Sequence, residues 1–508
     1  MLNKRRQYLC FFKINFSTKN VFLLLNSVIL QKFNYSNKNL SQYHMSLIKS
    51  ISGIRGTIGG KVDDNLTPVD VVKFTAAFGT WLQKNKNKKD LTLVIGRDAR
   101  ISGAMVNSLV TATLQGLGIH VVDLGLSTTP TVEVMVPELN ADGGIILTAS
   151  HNPKQWNALK LLNEKGEFIS GKDGAEMLEI AEKEDFNFAE VDDLGKYETR
   201  TDAFDIHIQK ILDLPMVDVE AVKAKKFKVV LDAVNSTGGI SLPPLLEKLG
   251  CEVVKLYCEP NGQFPHNPEP LKEHLTDICD LIKKEGADVG IVVDPDVDRL
   301  ALIDENGEMF GEEYTLVAVA DYLLRHKKGV AISNLSSSRA LRDVARNLDS
   351  EYFASAVGEV NVVTLMKEKN AVIGGEGNGG IIYPDLHYGR DSLVGVALFL
   401  THLAKENKTV SELRATYPAY YMGKKKIELT PEIDVDALLV KMQEEYNISS
   451  SLNVEEISTI DGVKIDFPEN WVHLRKSNTE PIIRIYTEAF SQQEADELAD
   501  KMIAKIKS

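Results

Sequence analysis

Residues 143–153 read Gly143-Gly144-Ile145-Ile146-Leu147-Thr148-Ala149-Ser150-His151-Asn152-Pro153. The first five form an apolar run without polar alternation, which reads as a buried strand. Pro153 ends it, because its ring cannot continue a ladder and fixes a turn. Ser150 is therefore expected on an exposed turn at the end of a strand, with its hydroxyl facing a cleft. No acidic neighbour accompanies it, and Gly-x-Ser-x-Gly is absent, so this is not a hydrolase nucleophile elbow.

Outward from this stretch the chain alternates short apolar runs with amphipathic ones. Leu91–Ile95 and His120–Leu124 read as strands, with helices at Ala104–Leu117 and Asp173–Glu182. The rhythm restarts at Phe227–Leu231, passes through a helix near Ser241–Leu249, a strand at Glu252–Leu256 and a helix near Leu271–Glu285, and reaches Val289–Val293. A third cycle runs from Gly329–Ser333 to a helix at Ser392–Ala404. Such alternation predicts α/β units with helices flanking mixed sheets. The last stretch reads strand (Lys424–Leu429), helix (Val435–Tyr446), three strands (Ile457–Ile465, Trp471–Leu474 and Ile482–Thr487) and a helix (Gln492–Ile506), a smaller α+β unit. The expected division is 1–44 as an extension outside the fold, then domains 45–200, 201–308, 309–420 and 421–508.

Bulk numbers agree with a multidomain globular chain. The 508 residues carry 44% hydrophobic and 26% charged residues; one core rarely serves so many. A net charge of −14 argues against nucleic acid as a partner. Four cysteines without metal-site spacing fit a reducing, cytoplasmic setting. Residues 1–44 hold Lys4, Arg5, Arg6, Lys13, Lys19, Lys32 and Lys38 and no acid, so −14 less these +7 leaves −21 on the rest. Their apolar stretch is broken at Asn26 and is too short for a membrane span. A transit peptide shares this composition; the preferred expectation is a true start at Met45, where the pattern changes abruptly.

Four further strings carry chemistry. Asp294-Pro295-Asp296-Val297-Asp298-Arg299 follows an apolar strand, and its alternate carboxylates can converge on one hard cation. Arg299 stands where a calcium loop needs glycine, although Glu305 falls in that loop's twelfth place. A merely solvated acidic loop is the plainer alternative, but three close carboxylates repel. Gly374-Gly375-Glu376-Gly377-Asn378-Gly379-Gly380 formally holds Gly-x-Gly-x-x-Gly, yet extended residues follow where a dinucleotide site needs a helix. Its Glu376 and Asn378 suit the hydroxyls of a sugar, while a tight glycine turn explains only the glycines. Arg475-Lys476-Ser477-Asn478-Thr479 has the composition of a phosphate cradle; a surface turn is the alternative. Arg55 lies in a glycine-bounded loop. Arg97 and Arg100 read more readily as structural ion pairs than as catalytic groups.

These loops occur in the order found in the α-D-phosphohexomutases, and the chain resembles that family from about Ser46 onward. The resemblance implies three mixed α/β domains and a smaller fourth around a central cleft. It implies that Ser150 carries a phosphoryl group, with Lys160, Arg299 and Arg55 as the catalytic cations. Asp294, Asp296 and Asp298, with a phosphoserine oxygen on Ser150, would bind one Mg²⁺. Glu376 and Asn378 would grip the sugar, and Arg475, Ser477, Asn478 and Thr479 its other phosphate. His151 and Arg97 are weaker candidates. A hexose phosphate is the implied substrate and glucose 1,6-bisphosphate, or the cognate bisphosphate, the implied activator; no membrane partner is expected. Many bacterial members carry a histidine where this chain has Gly380, and His387 is the nearest stand-in. The Asn378-Gly379-Gly380 form resembles the phosphoglucosamine mutase subgroup. Phosphomannomutase or phosphoglucomutase activity, and an inactive sugar-phosphate sensor, are the competing expectations.

Overall fold

The computed structural model describes residues 46–50, 53–86, 88–429, 434–448, 453–477 and 482–507. The first unit has strands β1 (Ile48–Ser50), β2 (Gly53–Thr57), β3 (Thr92–Arg97), β4 (His120–Leu126), β5 (Gly143–Leu147), β6 (Trp156–Leu162) and β7 (Tyr197–Thr199). They form one sheet in the order β1-β2-β6-β5-β3-β4-β7. Helices α1 (Pro68–Lys86), α2 (Gly103–Gly116), α3 (Thr129–Glu138) and α4 (Gly171–Lys183) belong to this unit. The apolar run that opened the chain's reading is β5, every residue of which is buried.

Two smaller sheets repeat its plan. Helices α5 (Ala203–Leu212) and α6 (Val219–Lys225) lead into β8 (Lys228–Asp232), α7 (Gly238–Lys248), β9 (Glu252–Leu256), α8 (Thr276–Glu285), β10 (Val289–Val293) and β11 (Leu300–Ile303). The third unit holds α9 (Glu312–His326), β12 (Val330–Asn334), α10 (Ala340–Asn347), β13 (Glu351–Ser355), α11 (Glu359–Lys369), β14 (Ile373–Glu376), β15 (Gly380–Ile382), α12 (Ser392–Glu406) and α13 (Val410–Arg414). Their sheets run β11-β10-β8-β9 and β13-β12-β14-β15. In all three sheets parallel strands meet an antiparallel hairpin, β5–β6, β10–β11 and β14–β15, and in the first sheet β2 and β1 extend the antiparallel side. The turn of each hairpin carries one of the chemical loops, at the carboxyl end of a parallel strand, where open α/β sheets place ligands.

The fourth unit is different. Strands β16 (Tyr421–Glu428), β17 (Glu456–Ser458), β18 (Val463–Asp466), β19 (Trp471–Lys476) and β20 (Ile482–Ala489), with helices α14 (Val435–Ile448) and α15 (Gln492–Lys507), make an antiparallel sheet ordered β16-β20-β19-β18-β17. The stretch expected as one strand over Ile457–Ile465 is two, because Gly462 turns the chain at φ 74°. Helices α1 and α3 were not anticipated. Both are so thoroughly buried that the apolar stripe of a surface helix is blurred.

One apolar core runs continuously from Ile208 of α5 through α9 and α12 to Tyr417. The third and fourth units meet through buried polar contacts instead. Arg339 donates to the carbonyls of Phe467, Pro468 and Asn470 and to Asp466. His473 is fully buried, with Nδ1 2.9 Å from Ser336 Oγ and Nε2 2.6 Å from the Asp461 carbonyl. Burial pushes its pKa down to about 4, although the Asp461 carbonyl pulls upward. Between the unfolded value near 6.5 and about 4 the unfolded chain binds the proton that the folded chain refuses. His473 therefore opposes acid, and its contribution is lost as pH falls through that window, to a limit of about 3 kcal/mol. Calorimetric unfolding should show a shallower fall in Tm from pH 6.5 to 4 in His473→Asn than in the wild-type chain; identical slopes would refute this.

Candidate active site

Ser150 lies between β5 and β6 with a left-handed backbone, φ 48°. It is 8% exposed, so the turn expected to be open is enclosed. The enclosure is made by Arg100, which is itself 1% exposed. Its guanidinium donates to the carbonyls of Ser150, Asn152, Pro153 and Trp156 at 2.5, 2.6, 2.7 and 3.0 Å. Its Nε donates to Asp98 Oδ2 at 2.9 Å, and Thr148 Oγ1 donates to the same oxygen at 2.7 Å. Thr148 Oγ1 in turn accepts the Ser150 N–H at 2.9 Å. The expectation of a structural ion pair at Arg100 thus holds, and it is this pair that shapes the serine loop. Arg97 contributes only a contact to the Asp98 carbonyl at 3.2 Å.

Across from the serine is the loop that follows β10. Ser150 Oγ donates to Asp294 Oδ2 at 2.7 Å. Asp294, Asp296 and Asp298 are fully buried, and one oxygen from each lies within 4.8 Å of the others. Val297 between them has φ 64° while its side chain is fully buried. A β-branched residue there costs on the order of 1–3 kcal/mol, strain that turns alternate carboxylates to one side. The loop is fixed by Ser236 and Thr237, whose hydroxyls donate to the Pro295 carbonyl at 2.6 and 2.9 Å. Thr129, first residue of α3, donates its N–H to the Asp296 carbonyl at 2.9 Å and its hydroxyl to Asp296 Oδ2 at 2.5 Å.

The charges around this loop are balanced by cations from two other units. Lys160 on β6 reaches Asp296 Oδ2 at 2.7 Å and Asp298 Oδ2 at 3.4 Å. Burial works against its charge, but Asp296 and Asp298 outweigh burial and raise its pKa. Arg390 donates to Asp298 Oδ2 at 2.7 Å, to Glu376 Oε2 at 3.0 Å and to Glu359 Oε2 at 2.9 Å. Asp298 is held well below the usual carboxylate range, Arg390 and Lys160 prevailing over burial. Asp294 is pushed the other way, by burial and by its two neighbouring carboxylates. Asp296 Oδ1 and Asp298 Oδ1 are buried and accept no hydrogen bond. Three oxygen donors on one point, with unsatisfied lone pairs, fit a hard divalent cation such as Mg²⁺.

The remaining predicted groups fall into three sets. Arg55, on β2, reaches Asn152 Oδ1 at 3.5 Å, and Arg299 pairs with Glu269 at 3.3 Å. Burial and then Arg299 lower the Arg55 pKa, so the two guanidinium groups are near neighbours. His151 has Nδ1 3.4 Å from Ser150 Oγ; burial and then Arg299 keep its imidazole neutral at pH 7. Glu376, at the end of β14, accepts from Asn334 at 2.8 Å and Gly358 N–H at 3.2 Å besides Arg390. Asn378 is half-buried in the hairpin turn. Arg475 stays on β19, with Nε 3.3 Å from Asp461, and Ser477 follows in the same strand's turn, its N–H on the Ile482 carbonyl at 3.0 Å. Asn478 and Thr479 lie outside the described residues.

His387, the expected stand-in for the absent sugar-loop histidine, contacts Asp391 at 3.3 Å and Glu133 at 3.5 Å. A Cβ at Gly380 would lie 2.4 Å from Arg390 Cδ. The methylenes of Arg390 occupy that space instead. Arg390 and Arg100 were the groups that sequence reading undervalued; a lone arginine in a loop gives no sign of which carboxylate or carbonyl it will meet.

Comparison with known proteins follows this geometry. The chain matches Phosphoglucomutase/phosphomannomutase, alpha/beta/alpha domain I over residues 47–188, domain II over 205–307, domain III over 311–420 and the C-terminal domain over 424–505. It is 37% identical over 446 residues to a phosphoglucomutase/phosphomannomutase of Thermococcus kodakarensis, covering 87% of this chain and 96% of that one. It is 33% identical to a phosphoglucosamine/phosphogalactosamine mutase of Sulfurisphaera tokodaii, covering 90% and 98%. A phosphoglucomutase/phosphomannomutase family protein from Burkholderia thailandensis superposes with TM-score 0.77 at 25% identity, over 92% of this chain and 97% of that. The chain belongs to the phosphoglucomutase/phosphomannomutase family, the α-D-phosphohexomutases, and is an enzyme of that class.

Removing the Arg100 guanidinium would leave Asp98 buried and uncompensated. Arg100→Met should destabilise the fold by about 3–5 kcal/mol and depress kcat, whereas Arg100→Lys should retain more stability than activity. Denaturant unfolding beside steady-state kinetics checks both; a Met variant as stable as the parent would refute the clamp.

Proposed function

We propose that this phosphohexomutase interconverts glucosamine 6-phosphate and glucosamine 1-phosphate through a phosphorylated Ser150. The observation that carries the reading is the serine itself, enclosed in a strained turn with its hydroxyl 2.7 Å from Asp294. In the forward half, the Oγ–P bond of phosphoserine breaks as the free hydroxyl of the sugar phosphate bonds to the same phosphorus. The hydroxyl's proton ends on Ser150 Oγ, and neutral His151 is placed to pass it there. Lys160, Arg299 and Arg55 supply fixed positive charge for the transferring oxygens. A magnesium ion held by Asp294, Asp296, Asp298 and a phosphoserine oxygen would add Lewis-acid charge neutralisation at the same oxygens. The bisphosphorylated sugar then turns, and its other phosphate returns a phosphoryl group to Ser150. The reaction is an isomerisation that consumes no ATP.

In this reading Glu376 and Asn378 grip the sugar, and Arg475, Ser477, Asn478 and Thr479 hold the phosphate that is not transferred. Glucose 1,6-bisphosphate, or the cognate bisphosphate, charges an empty serine. The Asn378-Gly379-Gly380 form and the Sulfurisphaera relative support an amino sugar. A second reading, phosphoglucomutase or phosphomannomutase, is favoured by the higher identity to the Thermococcus relative. The scarcity of cysteine supports a cytoplasmic setting; among the described residues no helix is long and apolar enough to cross a membrane.

Steady-state kcat/KM on the three hexose 6-phosphates separates these readings. Glucosamine 6-phosphate should lead by about tenfold, or 1.4 kcal/mol of transition-state binding; a lead for glucose or mannose 6-phosphate establishes the second reading. Ser150→Ala should fall to background while its circular dichroism is unchanged. Its intact mass should gain nothing from glucose 1,6-bisphosphate, which should phosphorylate the wild-type chain once. Turnover in that variant would remove Ser150 from the reaction.

A further inference from the structure

Behind the reacting groups, three units meet at a cluster that phosphoryl transfer does not use. His207 on α5 and Asp391 at the start of α12 are fully buried, and the His387 side chain is 8% exposed. His207 Nε2 lies 2.9 Å and His387 Nε2 3.3 Å from the same atom, Asp391 Oδ2. The three ligand atoms fall within 4.8 Å of one another. We propose that His207, His387 and Asp391 bind a borderline divalent transition-metal ion of the zinc type, at a second site whose ligands join the second and third units against α3 of the first.

The groups on the far side of each ligand support this. Asp391 Oδ1 is occupied by the N–H groups of Leu393 and Val394, as the cap of α12, which turns Oδ2 toward the histidines. His207 Nδ1 is 3.0 Å from Thr131 Oγ1. His387 Nδ1 is 3.5 Å from Glu133 Oε2 on α3. Glu133 is 1% exposed, and neither of its oxygens accepts a hydrogen bond, nor has His387 Nδ1 a partner. The carboxylate is pressed there by backbone: a Cβ on Gly389 would lie 2.0 Å from Glu133 Oε2.

Proton placement differs between a hydrogen-bonded cluster and a metal site. Without an ion, both Nε2 hydrogens meet Asp391, and His387 Nδ1 faces Glu133, whose carboxyl burial pushes well above the usual carboxylate range, at 3.5 Å with no hydrogen bond made between them. With an ion, both Nε2 lone pairs are donated to it and both hydrogens move to Nδ1. Each Nδ1–H then has a partner, Thr131 Oγ1 for one and Glu133 for the other. A ligating imidazole whose second nitrogen addresses a carboxylate is a recurrent arrangement in metal proteins. Two imidazoles and one carboxylate select zinc or cobalt over magnesium, which takes oxygen donors. The site is thus distinct in chemistry from the aspartate triplet.

Cobalt(II) in excess Mg²⁺ is the probe. The full-length chain, stripped with a chelator, should retain one Co²⁺ through gel filtration and show visible ligand-field absorption. His207→Ala and His387→Ala should each lose that absorption, and Glu133→Gln should weaken retention about 10–100-fold. Asp296→Asn, which removes a carboxylate of the triplet and no ligand of the second site, should keep it. A wild-type chain that retains no Co²⁺ overturns the proposal, and because it needs no variant to fold, that result stands alone. Absorption surviving in both histidine variants, or lost in Asp296→Asn, overturns it equally. None of these readouts depends on turnover, so they are independent of the sugar preference proposed above.

Discussion

Three aspartate carboxylates on one six-residue loop, all shut away from water, repel one another at a cost that has to be met from outside the loop. The first unit supplies Lys160 and the amino end of α3, whose first N–H groups favour negative charge. The third unit supplies Arg390, which reaches the triplet and Glu376 together. Each unit is therefore held to the next by opposite charge, while apolar contact continues behind it through α5, α9 and α12. The same imbalance leaves oxygens on Asp296 and Asp298 without donors, which is what makes the loop receptive to a cation.

The three-fold repetition of parallel strands closed by an antiparallel hairpin places those charges. The Ser150, Asp294–Arg299 and Glu376–Gly380 loops are all hairpin turns at the carboxyl ends of parallel strands; the second and third sheets share one core and the first packs its own core against α5, which gathers the turns.

Much of this was legible in the sequence. Strands buried on both faces show as unbroken apolar runs, so β5 and β10 were read at their true bounds or close to them. The Ser150 and Asp294–Arg299 loops announced themselves by residue type and order. Contacts between distant parts of the chain did not. Nothing at Arg100 states that it will hold four carbonyls some fifty residues on, and nothing at Gly380 states that Arg390 will fill its space. Ser150 read as exposed because a strand end usually is. Its enclosure depends on the arginine beneath it and on the aspartate loop opposite, both remote in sequence.

That enclosure decides who can modify the serine. A protein kinase must draw its target residue into its own groove as an extended segment. Ser150 is pinned instead in a left-handed turn, with its own carbonyl and three others in the loop bound by one guanidinium. Only a donor small enough to enter the site can reach that hydroxyl. The loop is thereby closed to any reaction that would need it drawn out as an extended segment.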